Sequence, residues 1–241
     1  MSELGHEVLA AVLQVRSRSL QVLLWRRARE PQVGRWSLPG GQLGATEDIE
    51  ASVRRQLAEK VDVRQLSHVE QLAVFSAPDR VPGDRVIAST FLALVRSDND
   101  PVIPDDTSWF PIDALPDTAF DHQAVVLRAR DRLRSKLSYT NVGFALAAPE
   151  FTVSALRDVY SAALGYRVSA TNLQRVLSRR GQLEPTGETV PPGPSGGRPA
   201  ALFRFARASI QITDPFAVFR PPATTPPPAP PSPPTESASR A

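Results

Sequence analysis

The stretch Gly40–Val63, GGQLGATEDIEASVRRQLAEKVDV, constrains the chain more than any other. It reads as a loop followed by a helix. On that helix positions 56, 59 and 60 stand at i, i+3 and i+4, so they share one face. They carry Gln56, Glu59 and Lys60: an amide, a carboxylate and an ammonium. A hard divalent cation takes anionic oxygen ligands, and one carboxylate among three positions is too few. Upstream, Val22–Arg27 reads as a strand, and Gly34-Arg35-Trp36-Ser37-Leu38-Pro39-Gly40-Gly41 as the turn that delivers the chain to the loop.

The length of 241 residues admits one large domain or two modest ones. The absence of cysteine excludes disulfides and thiolate metal sites and suits a reducing cytoplasm. No apolar run reaches membrane-spanning length, and MSELGHEV lacks the basic and apolar regions of a signal peptide, so a cytoplasmic protein without membrane association is expected. The net charge of +3 hides an asymmetry. Residues 1–120 hold 13 Lys/Arg against 17 Asp/Glu, whereas residues 121–180 hold 10 against 4. A basic segment behind a mildly acidic one suggests a polyanion-binding module attached to something else.

Glu7–Val15 and Ser19–Trp25 read as a hairpin, Leu66–Phe75 and Val86–Val95 as strands, and Ser76–Arg85 as a Pro/Gly/Asp loop between them. Trp109, Phe110, Ile112 and Leu115 are expected to close the core of an α/β arrangement. A helix follows to about Leu137, with Val126, Ala129, Leu133 and Leu137 in one apolar stripe. Arg128, Arg132 and Lys136 share a second face. Asp121 reads as the helix N-cap with a polar His122 beside it, the alternative being a catalytic pair.

From Phe151 the pattern becomes two short capped helices. Thr152 caps the first, with Leu156, Val159, Tyr160, Ala163 and Leu164 inward, and Gly165 ends it. Ser169 caps the second, which runs to Arg180. Leu173, Val176 and Leu177 turn inward there, leaving Thr171, Asn172, Gln174, Arg175, Ser178 and Arg179 outward. That outward chemistry suits base edges in a major groove. Gln182–Thr186 and Leu202–Phe205 then form a β-ribbon with Gly196, Gly197 and Arg198 at its tip. Helix-turn-helix plus ribbon is a winged helix; a small helical interaction domain with a solvated arginine face is the alternative. The last segment, PPATTPPPAPPSPPTESASRA, is too poor in apolar residues to pack and is expected to be extended or disordered. The expected layout is 1–145, an α/β domain with its linker helix; 146–215, the winged helix-turn-helix; and 216–241, the Pro-rich tail.

Gly41, Glu47 and Arg55-Gln56-Leu57-Ala58-Glu59, separated by five and seven residues, resemble the Nudix box, with the preceding W-x-L-P-G-G turn as its lead-in. The chain further resembles the Nudix-related transcriptional regulators, the NrtR family. Phe120-Asp121-His122 and Arg132–Thr140 look like that family's linker helix. Phe151–Gly165 looks like its first winged-domain helix, and Leu183–Glu188, Gly197–Ala200 and Leu202–Phe205 like its wing. The resemblance covers about residues 7–206. In Nudix hydrolases positions 56, 59 and 60 hold carboxylates that bind divalent metal, usually magnesium; here only Glu59 remains, and Asp62 replaces the terminal glycine.

The family implies a dimeric repressor of NAD-metabolism genes that senses ADP-ribose or a related nucleotide. A two-fold dimer further predicts a near-palindromic double-stranded DNA operator as partner, and the losses at Gln56 and Lys60 predict no metal or other cofactor. Gly40, Gly41 and Glu59 belong to the ligand site on this reading. Arg35, Arg80 and Arg85 are candidates for phosphate oxygens, because guanidinium forks match them. Lys60 either stands in for the missing cation or is a surface lysine paired with Glu59 or Glu47. For DNA, Thr171, Asn172, Arg175 and Arg179 are expected on the recognition face, and Arg134, Lys136 and Arg198 on phosphates. Acylation of Lys136 would delete a charge beside DNA. Two alternatives are an ADP-ribose pyrophosphatase, with Glu47, Glu50 and Glu59 as makeshift metal ligands, and an inert Nudix scaffold for a protein partner.

Overall fold

The computed structural model of the chain describes residues 4–83, 85–191 and 199–214. Its first half is a mixed sheet of seven strands: β1 (Gly5–Arg16), β2 (Ser19–Arg26), β3 (Trp36–Ser37), β4 (Gly40–Gln42), β5 (His68–Phe75), β6 (Val86–Leu94) and β7 (Thr107–Pro111). The main path runs β3-β2-β1-β6-β5, with β4 paired to β1 and β7 to β2. The β1–β6 pair is parallel, and all the other pairs in this sheet are antiparallel.

Strand β1 is apolar without alternation because both its faces are covered. Val8, Ala10 and Val12 pack with Val53 and Leu57 of helix α1 (Ile49–Lys60) and with its C-cap Val61. Ala11, Leu13 and Val15 pack with Val126, Ala129 and Leu133 of helix α2 (His122–Tyr139). Asp48 caps α1 by accepting the Ala51 amide at 2.7 Å.

The winged domain follows as β8 (Phe151–Thr152), α3 (Val153–Leu164), α4 (Ala170–Arg179), β9 (Leu183–Val190) and β10 (Ala200–Phe205), with strand order β8-β10-β9. The expected caps are present. Thr152 accepts the Ala155 amide at 3.2 Å, Ser169 accepts the Asn172 amide at 3.4 Å, and Gly165 ends α3 at φ 80°. Strand β9 runs to Val190, longer than its apolar part, because antiparallel pairing to β10 satisfies its backbone without burial. The wing tip, Arg198 included, and the Pro-rich tail lie outside the described residues.

One apolar cluster continues from the α2 side of the sheet through Val142, Phe144 and Leu146 to Leu156, Tyr160, Leu173 and Leu177. The two domains therefore share packing through α2. Beyond β10, residues 206–214 cross back over the linker, which no local pattern in the sequence indicates. Asn141 Nδ2 donates to the Arg207 and Ser209 carbonyls at 3.3 and 2.9 Å, and Asn141 Oδ1 accepts the Gln211 amide at 2.7 Å. Among the described residues no helix is long and apolar enough to cross a membrane.

Candidate functional site

The loop before α1 and the end of α1 meet over a cavity of about 390 Å³ lined in part by Trp25, Gly40, Gly41 and Lys60. Lys60 lies on the last turn of α1, and its Nζ donates to the Gly40 carbonyl while standing 5.0 Å from the Trp25 ring centre. Glycine at 41 leaves room for this arrangement: a Cβ there would lie 2.9 Å from both the Lys60 ammonium and the Gln56 amide, and those side-chain ends would have to shift. Lys60 pairs with neither Glu59 nor Glu47, so the surface-lysine alternative is not what the fold adopts. Burial lowers its pKa, and Arg29, Arg27 and Arg55 lower it further. Arg27 and Arg29 also line the cavity, and Glu7 is the one carboxylate among the described residues that line it.

The residues that the Nudix resemblance would give to magnesium do not fit it. Gln56 turns its amide nitrogen to the Gln42 carbonyl at 3.3 Å, and the Lys60 ammonium occupies the Gly40 carbonyl. Glu47 is held by Arg55 at 2.6 and 2.9 Å and by the Gly44 amide at 2.8 Å, which brings its pKa down to about 2. Glu59 is exposed and pairs with Arg55 at 3.0 Å. Among the described residues no group of three or more acidic or histidine side chains is placed to hold a metal.

Three expected phosphate contacts stand elsewhere. Arg80 has a side chain only 1% exposed and is spent inside the fold, on Glu7 at 2.6 Å and Asp121 at 2.8 and 2.9 Å. Two carboxylates brought together from β1 and the start of α2 demand a cation between them, which the Pro/Gly loop supplies. Arg35 is exposed, 3.7 Å from Asp117, and Arg85 is exposed and donates to the Ser76 carbonyl at 3.2 Å; neither lines the cavity. The cavity's cations are instead Arg27, Arg29 and Lys60. Arg27 was within reach of sequence reasoning, because it falls two residues after Trp25, on the same side of an extended chain.

Asp121 stands at the N-cap position of α2 as expected, but its side chain makes no cap bond and faces Arg80, while His122 is buried with Nδ1 accepting the Leu38 amide at 3.0 Å. Burial lowers the His122 pKa to about 3, with Asp121 opposing and Arg80 adding to the shift. The unfolded chain then binds a proton below its ordinary pKa of 6.5 that the folded chain refuses. Stability is full above that pH and falls as pH drops toward 3, by about 1.4 kcal/mol per unit from this group. Urea denaturation from pH 7 to pH 4 should show this slope, and His122→Asn should flatten it; an equally steep slope in the variant would remove His122 as the cause.

In the winged domain Thr171, Asn172, Arg175, Ser178 and Arg179 are exposed along α4 while Leu173 and Leu177 are buried, as the periodicity requires. Arg175 donates to Asn172 Oδ1 at 2.6 Å, holding two recognition side chains side by side. The linker cations both have partners inside the fold. Lys136 Nζ lies 2.6 Å from Glu70 with its side chain 14% exposed, so it is paired with β5 rather than free. Arg134 Nε donates to the Ala163 carbonyl at 3.2 Å, its guanidinium against Gly165, at the C-terminal end of α3 where carbonyls lack helical partners. Both pairings come from tertiary neighbours that helical spacing cannot show.

Comparison with known proteins agrees with this architecture. The NUDIX domain family matches residues 5–129, and the NrtR DNA-binding winged helix domain matches residues 143–205. The ADPR responsive transcriptional repressor NtrR of Acinetobacter baylyi is 30% identical over 212 residues, 85% of this chain and 83% of that protein. The ADP-ribose pyrophosphatase of Methanocaldococcus jannaschii is 31% identical over 119 residues, 48% of this chain and 68% of that enzyme. Shewanella oneidensis NrtR, in a crystal structure with a 27mer DNA, superposes with a TM-score of 0.70 at 30% identity, covering 83% of this chain and 92% of that one. With a Nudix sheet, a shared linker helix and a capped winged domain in that order, the chain belongs to the NrtR family.

Proposed function

We propose that this chain is an operator-binding transcriptional repressor whose Nudix domain binds ADP-ribose or a related nucleoside diphosphate and leaves it whole. The observation that carries the reading is the Lys60 ammonium on the Gly40 carbonyl, in a cavity that also holds Arg27 and Arg29. Three cations gathered at one cavity, Arg27 and Lys60 half-buried and Arg29 exposed, repel one another, and a bound diphosphate relieves them. They neutralise its charge without supplying a metal-activated water. The effector takes the place of a cofactor. The repressor role rests on the similarity to the Acinetobacter baylyi repressor, together with the exposed Asn172, Arg175 and Arg179 face. NAD-metabolism genes are the proposed targets. A two-fold dimer would present two α4 helices to half-sites about one helical turn apart. Nucleotide binding would favour an arrangement of those helices that no longer fits; about 1.4 kcal/mol of differential binding suffices for a tenfold loss.

A mobility shift with the DNA upstream of the chain's own gene tests this. A complex should form at low salt, weaken steeply as salt rises and dissociate with ADP-ribose. Incubation with magnesium and ADP-ribose should release no AMP, and Lys60→Ala should bind ADP-ribose at least about tenfold more weakly. Rapid magnesium-dependent AMP release would favour the pyrophosphatase, the activity of the Methanocaldococcus jannaschii relative. Nucleotide binding without any DNA complex would leave a scaffold for a protein partner.

A further inference from the structure

His122 has a nitrogen that no contact among the described residues accounts for. Its Nδ1 accepts the Leu38 amide at 3.0 Å, so the neutral ring must carry its proton on Nε2. The neutral ring is the form present near pH 7, because burial disfavours the cation. Nε2–H is thus a donor of fixed identity, without an acceptor among the described residues, on a side chain 2% exposed. The ring is held by Leu38 and by Phe120, whose centre lies 5.7 Å away at 66°. It lines the same cavity as Lys60 and Arg27. A cluster of cations lines this cavity and the residue with the unmatched donor borders it, with Nε2 itself closed off from solvent in the unliganded fold; oxygen acceptors would satisfy both.

The geometry points to His122 as a ligand-reading residue, whose Nε2–H donates to a phosphate or ribose oxygen of the nucleotide held beside Lys60. This deepens the nucleotide-sensing reading and rests on it. It also explains how an occupant of the cavity reaches the DNA-binding half. His122 is the first residue of α2, an 18-residue helix that spans about 27 Å. Three turns further along the same helix, Arg134 holds the end of α3. A ligand that fixes His122 fixes the N-terminus of the element on which the winged domain is packed.

The test uses the full chain with ¹⁵N-labelled histidine. Only His6, His68 and His122 contribute, and His6→Gln, His68→Gln and His122→Asn variants assign them. The imidazole nitrogens are followed with ADP-ribose and with inorganic pyrophosphate. The His122 Nε2 signal should move on saturation, while His68, paired with Glu70, stays in place. Movement with pyrophosphate identifies a phosphate oxygen, and movement with ADP-ribose alone a ribose oxygen. His122→Asn, whose Oδ1 can still accept from Leu38, should bind ADP-ribose at least about tenfold more weakly. If wild-type protein binds ADP-ribose with the His122 signals unmoved, or the variant binds equally well, the role of His122 is overturned and nucleotide sensing stands. If wild-type protein binds neither compound, both readings fall. Should His122→Asn fail to fold, the wild-type spectrum decides alone.

Discussion

Replacing Arg80 with methionine should lower the unfolding free energy by about 3 kcal/mol at pH 7, the low end of the cost of breaking a buried ion pair. The guanidinium is 1% exposed and bridges Glu7 and Asp121, whose side chains are 18% and 22% exposed. Burial works against its charge, but the bonds to Asp121 and Glu7 outweigh that and raise its pKa. Methionine preserves most of the volume and leaves both carboxylates facing each other without a cation. Their partial exposure lets water screen some of the repulsion, which is why the low end applies. Thermal denaturation should report a midpoint lower by about 6–12 °C for a chain of this size. A midpoint within about 2 °C of wild type would show that solvent replaces Arg80 at little cost. Because Glu7 also lines the cavity, weaker nucleotide binding should accompany the loss.

The double substitution Arg175→Ala, Arg179→Ala should weaken operator binding by about two orders of magnitude or more, on the basis of about 1–3 kcal/mol for each side chain that reads a base. The two side chains lie one helical turn apart on the exposed face of α4, so removing them should leave the buried Leu173 and Leu177 anchors untouched. The slope of log affinity against log salt separates their roles. Removing an arginine that neutralises a phosphate should make it shallower by about one, whereas removing one that reads only a base edge should leave it unchanged. Fluorescence anisotropy over a salt series measures both quantities, with thermal melting as the check on folding. Wild-type affinity in the double variant would move the DNA interface away from α4.

The winged domain was legible in detail because its signals are local. Thr152, Gly165 and Ser169 act on backbone groups within a few residues, and the spacing of Leu156, Tyr160, Leu173 and Leu177 reports a helix face directly. Strands β1, β2, β5 and β6 were legible for a similar reason, being apolar runs broken by turn residues, whereas β3, β4 and β7 are short pieces that only pairing to β1 and β2 makes into strands. The nucleotide cavity was half legible. Gly40, Gly41 and Lys60 came from spacing on one loop and helix, whereas Glu7, Trp25, Arg29 and His122 come from other stretches of chain. Arginines misled most. A guanidinium on a loop looks free in sequence, yet Arg80 is enclosed and Arg134 docks one domain on the other, because their partners lie 41, 73 and 29 residues away.

By itself, then, the order of residues determined the helices, where they stop, the longer strands, and that the α1 face carries an amide and an ammonium where hydrolases keep carboxylates. These are matters of neighbouring dihedrals, helical spacing and side-chain chemistry, all of which act along the chain. Only the tertiary structure decided which charges are available. It committed Arg80, Lys136 and Arg134 to internal partners, brought Lys60 to the Gly40 carbonyl, and left one nitrogen of His122 without an acceptor among the described residues. The reason is that a charge or a donor is satisfied by whatever folding places within about 3 Å of it, and sequence distance carries no information about that.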